Sequence, residues 1–174
     1  MKYFLINAFG KDRPGIVKDV SKVLYELGFN IEDSTMSRLG GEFTIMLVVE
    51  GSDSIDTNKI KDAFNSLEKK GITVNIKEIP DIEHEKKQIE NIYKIIVYGG
   101  DKPGIVYNVS KMLADNNINI IDMNTEKAGD LYVLITEVET PENFNEETLY
   151  EEVEKLKDNL GVDINVEKIE SIEM

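Results

Sequence analysis

A six-residue stretch occurs twice in this chain, 89 positions apart, and the residues around it repeat at the same spacing. The two copies read Asp-Arg-Pro-Gly-Ile-Val at 12–17 and Asp-Lys-Pro-Gly-Ile-Val at 101–106. A period near 90 residues is too long for a solenoid repeat and matches the size of a small domain. We therefore expect two homologous domains in one chain. Further matched pairs are Val20 and Val109, Ser21 and Ser110, Leu24 and Leu113, Asn30 and Asn119, and Asp33 and Asp122.

Each copy of the stretch lies between a short apolar run and a helical pattern. The first run begins at Tyr3 and the second at Ile92. After each copy the apolar residues recur at three- and four-residue intervals, which is typical of a helix with one buried face. The spacing predicts helices at about 14–27 and 103–116, so each copy forms a strand-to-helix turn.

The residue types in this turn suit a binding site for a small zwitterion. Asp12 can accept a hydrogen bond from a first-turn N–H group as an N-cap, and Pro14 suits the first helical turn. Gly15 permits a close approach to the backbone, and the free N–H groups of the helix start favour an anion such as a carboxylate. A neighbouring Asp can meet an ammonium group. The alternative is that Asp12 is only a structural cap, and duplication does not decide between the two.

The remaining pattern predicts the order βαββαβ in each half. In the first half we expect further strands at 30–37, 43–49 and 72–79, and a helix around Ile60 that ends at Gly71. In the second half we expect strands at 92–98, 119–125, 131–138 and 162–166, and a last helix at 146–160. This order predicts an α+β fold of two ferredoxin-like domains, each a four-stranded antiparallel sheet with two helices on one face. The domains are placed at 1–80 and 91–174, joined by a linker at 81–90.

Composition limits the classes of partner. The net charge is −14, and residues 81–174 carry 22 acidic against 9 basic side chains. Such a chain repels nucleic acid and anionic membranes at long range, so any role in gene control is expected to run through a partner protein. Alternatively, the acidic surface only keeps the protein soluble. The chain contains no cysteine and no long apolar run, which we interpret as a cytoplasmic protein without a membrane segment.

No catalytic or metal-binding constellation is evident. The chain has no nucleophilic cysteine, and its single histidine, His84, lies in the predicted linker. His84 stands between two glutamates, but without a second histidine or a cysteine it is expected to be a solvated side chain. We expect no enzyme activity, no metal and no cofactor.

The βαββαβ order, with Asp-x-Pro-Gly-Ile-Val at the first strand–helix turn and Asn-Ile at the start of the second strand, resembles the ACT domain. The match covers nearly the whole chain, in the manner of the tandem-ACT proteins of the glycine cleavage system transcriptional repressor type. The resemblance implies binding of a small amino acid where two ACT domains pack side by side. The turn of one domain supplies some contacts and the start of the neighbour's second strand supplies others.

The resemblance implies a specific set of ligand-binding residues. Asn30 and Asn119 would donate to the ligand carboxylate, and Asp12 would meet the ammonium; asparagine at a strand start is otherwise a common turn residue. Some relatives carry a polar group where this chain has Gly10 and Gly99, which leaves fewer contacts. The full set is Gly10, Lys11, Asp12, Pro14, Gly15, Ile16 and Asn30 in the first domain, and Gly99, Gly100, Asp101, Pro103, Gly104, Ile105 and Asn119 in the second.

The expected function is that of a non-enzymatic amino-acid sensor. A small amino acid, glycine or serine being favoured, would bind at ACT–ACT interfaces and change the association with a protein partner. Control of transcription of glycine or amino-acid metabolism is one form this output takes, and a homodimer is expected. Two alternatives stay open: an ACT-fold interaction module without a ligand, and an enzyme or the regulatory subunit of an enzyme of amino-acid metabolism.

Overall fold

The chain divides into two compact units, Met1–Glu85 and Lys86–Met174. The computed structural model describes residues 1–80 of unit 1 and 91–169 of unit 2. The predicted linker at 81–90, with His84, lies outside the described residues.

Unit 1 has the predicted order of elements. Its strands are all antiparallel and lie in the order β2-β3-β1-β4, so the first strand occupies the interior of the sheet. Sequence neighbours β2 and β3 form a hairpin, and each helix connects two strands that are not neighbours in the sheet. The elements are β1 (Lys2–Lys11), α1 (Ile16–Glu26), β2 (Asn30–Leu39), β3 (Glu42–Gly51), α2 (Thr57–Glu68) and β4 (Ile72–Ile79).

Unit 2 repeats the arrangement, with strand order β6-β7-β5-β8. The prediction of two ferredoxin-like βαββαβ folds is confirmed. Strands β2 and β6 run a few residues beyond their predicted ends, because pairing with β3 and β7 continues up to the two-residue hairpin turns. The elements are β5 (Ile92–Gly100), α3 (Ile105–Asp115), β6 (Asn119–Ala128), β7 (Leu131–Glu139), α4 (Glu146–Leu160) and β8 (Asp163–Lys168).

The core of each unit lies between one sheet face and its two helices. On β1 the alternate residues Phe4, Ile6 and Ala8 are fully buried, as the two-residue period of a strand requires. They pack against the apolar stripe of α1, and the rings of Phe4 and Phe29 meet edge to face with centroids 5.7 Å apart. Burial of each large aliphatic or aromatic side chain stabilises the fold by about 1.5–3 kcal/mol.

The opposite sheet face of each unit carries exposed apolar side chains. In unit 1 these include Phe9 and Met46, and in unit 2 Tyr98 and Ile135. In unit 1 this face also contains a shallow hollow of about 110 Å³. Its lining residues are Leu5, Asp33, Ser34, Thr35, Met46 and Val48. None of the predicted ligand-binding residues lines this hollow.

Candidate functional site

The turn between β1 and α1 leaves the helix start without a side-chain cap. Gly15 is the N-cap residue, with φ of 83° in the left-handed region, and no side chain accepts a hydrogen bond from the first helical turn. Gly104 has the same role before α3, with φ of 96°. The prediction that Asp12 acts as the N-cap is therefore wrong, because Asp12 lies three residues before the position from which a cap side chain reaches the helix.

The helices also begin later than predicted. Pro14 and Pro103 were expected in the first helical turn, but the helices start at Ile16 and Ile105. A glycine in the left-handed conformation cannot belong to a right-handed helix, so each helix begins after its glycine. Each proline instead lies in the loop, where its ring restricts φ just before the sharp turn. The side chains of Ile16 and Ile105 are buried in the cores, so only their backbone atoms are available to a ligand.

Asp12 contacts the β2–β3 hairpin instead of the helix. Its N–H group donates to the carbonyl oxygen of Gly41 at 3.0 Å. Its carboxylate oxygen Oδ2 lies 3.5 Å from Nη1 of Arg38, near the end of β2. The turn and the hairpin are thus connected by one backbone hydrogen bond and one ion pair.

Unit 2 has the same pair of contacts with a different cation. The N–H group of Asp101 donates to the carbonyl oxygen of Asp130 at 3.0 Å. The Asp101 carboxylate lies 2.5 Å from Nζ of Lys127. Lys127 is the counterpart of Arg38 at the 89-residue spacing. Neither cation was predicted from the sequence, although the presence of a basic residue at this position in both repeats is a signal for such a pair.

The basic residue that follows the turn aspartate has different contacts in the two units. In unit 1 the guanidinium of Arg13 donates to Oδ2 of Asp19 at 2.6 Å, and this hydrogen bond lowers the pKa of the Asp19 carboxyl. In unit 2 the ammonium of Lys102 donates to the carbonyl oxygen of Leu160, at the end of α4. The counterpart of Asp19 is Asn108, whose amide donates to the carbonyl oxygen of Gly104. The two turns therefore have the same left-handed glycine but different side-chain contacts.

Asn30 is far from the turn of its own unit. It pairs across the sheet with Glu50, which in turn pairs with Tyr3 at the beginning of β1. Asp12 follows the other end of β1, so the two residues are separated by roughly nine residues of strand, or about 30 Å. Asn119 has the equivalent place in unit 2, opposite Glu139. One unit alone therefore does not bring these asparagines to its own turn. The side-chain amide of Asn30 donates to Glu32 at 2.6 Å.

The described part of the chain contains neither a cluster of metal-ligating side chains nor a membrane-spanning helix. No group of three or more metal-ligating side chains occurs within 1–80 and 91–169. In the same ranges no helix is long and apolar enough to cross a bilayer.

Comparison with known proteins identifies the domain. A family model of the ACT domain matches residues 2–77 and again residues 93–167. A UPF0237 protein of Streptococcus mutans is 41% identical over 73 residues, covering 42% of this chain and 80% of that protein. The glycine cleavage system transcriptional repressor of Escherichia coli is 46% identical over 50 residues, covering 29% of this chain and 26% of the repressor.

Two solved structures align with nearly the whole length of this chain. An unknown protein from Galdieria sulphuraria aligns with a TM-score of 0.79 at 28% identity, covering 97% of this chain and 98% of that one. A candidate glycine cleavage system transcriptional repressor aligns with a TM-score of 0.75 at 23% identity over 98% of each chain, which shows a shared fold. With both halves matched by the same family model and both units folded as βαββαβ, the chain belongs to the ACT domain family and contains two copies of the domain in tandem.

Proposed function

We propose that this protein is a non-enzymatic amino-acid sensor that binds a small amino acid at its strand–helix turns. The observation that carries the proposal is a helix start without a side-chain cap in each unit, with an aspartate three residues before the N-cap glycine. The N–H groups of a helix start and the helix dipole attract an anion, here the ligand carboxylate. Asp12 and Asp101 supply the negative charge for the ligand ammonium.

The structural-cap alternative loses its support for Asp12. A side chain that only capped the helix would accept a hydrogen bond from its first turn, and Asp12 does not. The aspartate instead faces a cation, Arg38, in an ion pair that is partly exposed. A carboxylate in such a pair can exchange one cation for another, which is what binding of an ammonium group requires.

Glycine and serine are the favoured ligands because the turn offers few side-chain contacts. Gly10 and Gly99, at the ends of the strands that lead into the turns, have no side chain to recognise a larger ligand. Asn30 and Asn119 would reach a ligand carboxylate only from an adjacent ACT domain. We therefore propose a homodimer or higher assembly in which ligand binding and association are linked.

The output is proposed to pass through a protein partner. The E. coli relative, 46% identical over 50 residues, is named as a transcriptional repressor of the glycine cleavage system. A chain with a net charge of −14 is poorly suited to bind DNA directly. A ligand shifts such an association only if it binds the free and the partnered states with different affinity.

Isothermal titration of the purified chain with glycine, serine and the other amino acids tests the proposal. We expect binding of one or two of them, and loss of that binding in the double variants Asp12→Ala/Asp101→Ala and Asn30→Ala/Asn119→Ala. Asn75→Ala, an exposed asparagine on β4, is the matched control and should bind normally. Retained binding in both double variants would place the site elsewhere.

A second candidate function is an interaction module without a ligand. The exposed apolar side chains on the open sheet faces favour it, because clustered apolar groups on a surface mark sites of association. Under this alternative a well-folded sample gives no heat with any amino acid. Polar substitution of Phe9 and Met46 would then weaken association, which sedimentation velocity measures.

A further inference from the structure

In unit 2 the aspartate of the turn already holds an ammonium group. Nζ of Lys127 lies 2.5 Å from Oδ2 of Asp101. The backbone hydrogen bond from Asp101 to Asp130 keeps the β6–β7 hairpin beside the turn, so the lysine is tethered close to this carboxylate. The side-chain ammonium of lysine is the same chemical group as the α-ammonium of an amino acid. A free ligand must compete for Asp101 with a group that is always present at high effective concentration.

Unit 1 has a weaker competitor at the same place. Nη1 of Arg38 is 3.5 Å from Oδ2 of Asp12, at the outer limit of a hydrogen bond. The contact involves one nitrogen, without the bidentate geometry that makes arginine–carboxylate pairs strong. The Arg38 side chain is 71% exposed, which leaves the guanidinium free to turn towards water. The Asp12 carboxylate is therefore easier for a ligand ammonium to occupy.

We propose that Lys127 is an intramolecular competitor for the ammonium subsite of unit 2, so that the two sites are unequal and unit 1 binds the amino acid more tightly. The proposal rests on the proposed function and adds to it a residue that sets the relative affinity of the two sites. Because the Lys127–Asp101 pair is exposed, its contribution is modest, and we expect its removal to change affinity by about twofold to fivefold.

The two sites are separated by inactivating one of them. In the Asp12→Ala chain only the site of unit 2 is intact. In the Asp101→Ala chain only the site of unit 1 is intact. In titrations with glycine, the Asp101→Ala chain should bind more tightly than the Asp12→Ala chain. Adding Lys127→Met to the Asp12→Ala chain should then tighten glycine binding about twofold to fivefold.

Two controls isolate the competition from a general effect of charge. Lys111→Met removes an exposed lysine whose pair with Asp115 has the same 2.5 Å distance but lies along α3, and it should leave glycine binding unchanged. Glycolate carries the carboxylate of glycine without its ammonium, so Lys127→Met should not tighten glycolate binding. Urea unfolding of each variant shows whether it is folded as the parent chain is.

The outcomes separate this inference from the function on which it rests. If glycine binds and Lys127→Met leaves its affinity unchanged or weaker, the competition is overturned while the sensor function stands. A weaker affinity would mean that Lys127 contacts the ligand carboxylate. If neither the parent chain nor any folded variant binds glycine or serine, the sensor function fails and the inference fails with it.

Discussion

A Cβ atom added to Gly10 would lie 2.5 Å from the carbonyl oxygen of Gly71. Gly10 is near the end of the interior strand β1, and Gly71 is the residue that leads into β4 beside it. The equivalent atom on Gly99 would lie 2.9 Å from Cγ1 of Val162. These contacts give a structural reason for glycine at the two positions where some ACT domains carry a polar group. The start of the neighbouring strand already fills that space.

Gly10→Ser is therefore expected to destabilise unit 1. The new side chain would press on a backbone oxygen, which cannot rotate away, and overpacking of this kind costs about 1–3 kcal/mol. The free energy of unfolding from urea titration measures the effect. Gly100→Ala is the control, because a Cβ there meets no atom within 4 Å and the residue does not have a positive φ. Equal stability of the two variants would contradict the explanation by a clash with the Gly71 carbonyl oxygen.

Gly15→Ala and Gly104→Ala should each destabilise their unit by about 1–2 kcal/mol, because alanine is strained in the left-handed conformation. A Cβ on Gly15 meets no atom within 4 Å, so backbone conformation alone is responsible there. Gly15→Asn should be less destabilising than Gly15→Ala, since asparagine tolerates a positive φ. If alanine and asparagine behave alike in thermal unfolding, the explanation by φ is wrong.

Arg13→Gln should raise the pKa of Asp19 towards its ordinary value of 3.8. In the parent chain the hydrogen bond from Arg13 keeps this pKa lower in the folded than in the unfolded state. A depressed carboxyl pKa adds stability above the unfolded value, and that stability is lost as the pH falls through the folded value. NMR titration of the Asp19 carboxyl carbon between pH 2 and about 6 covers this window.

The control for this titration is Arg38→Gln, which removes the guanidinium on β2 that pairs with the turn residue Asp12. Arg38 faces Asp12, so its loss should leave the Asp19 pKa depressed. An Asp19 titration that is the same in the parent chain and in Arg13→Gln would rule out the Arg13 hydrogen bond as the cause.

Unit 2 should lose stability in alkaline solution through Tyr93. Burial first, and then the negative charge of Glu146, raise the pKa of Tyr93 to about 12. The phenol of the unfolded chain ionises near pH 10, so between these values ionisation favours unfolding. Tyr93→Phe should reduce this decline in urea titrations from about pH 9 to 12, and Tyr25→Phe, which removes an exposed phenol, is the control. If Tyr93→Phe loses as much unfolding free energy over this pH range as the parent chain does, Tyr93 is not the cause of the alkaline destabilisation.

Local pattern was sufficient to predict the elements. The apolar stripes of α1 and α3 and the alternation along β1 follow from which residues must be buried, and neighbours along the chain carry that information. Gly161 confirms the predicted end of α4, with φ of 59°. Asn117, with φ of 56°, ends α3 in the way that Gly28 ends α1, with N–H groups bonded back to the last turn.

Local pattern was misleading at the turn itself. Asp-x-Pro-Gly before an apolar stripe is typical of a capped helix start, yet the cap position belongs to Gly15. The partner of Asp12 is 26 residues away at Arg38, and sheet register brings the two together. Strand register depends on pairing along the whole hairpin, so the sequence around Asp12 alone does not predict its partner. The same register places Asn30 and Asp12 at opposite ends of one sheet.

By itself the sequence determined that the protein is two ACT domains, because the duplicated motif, the period of buried residues and the turn glycines act locally and were readable in both halves. Only the tertiary structure decided which charges meet at each turn. It pairs Asp12 with a loosely held arginine and Asp101 with a close lysine, and it directs Arg13 to Asp19 but Lys102 to the end of α4. The physical reason is that such pairs depend on strand register and helix packing, which join residues far apart in the chain.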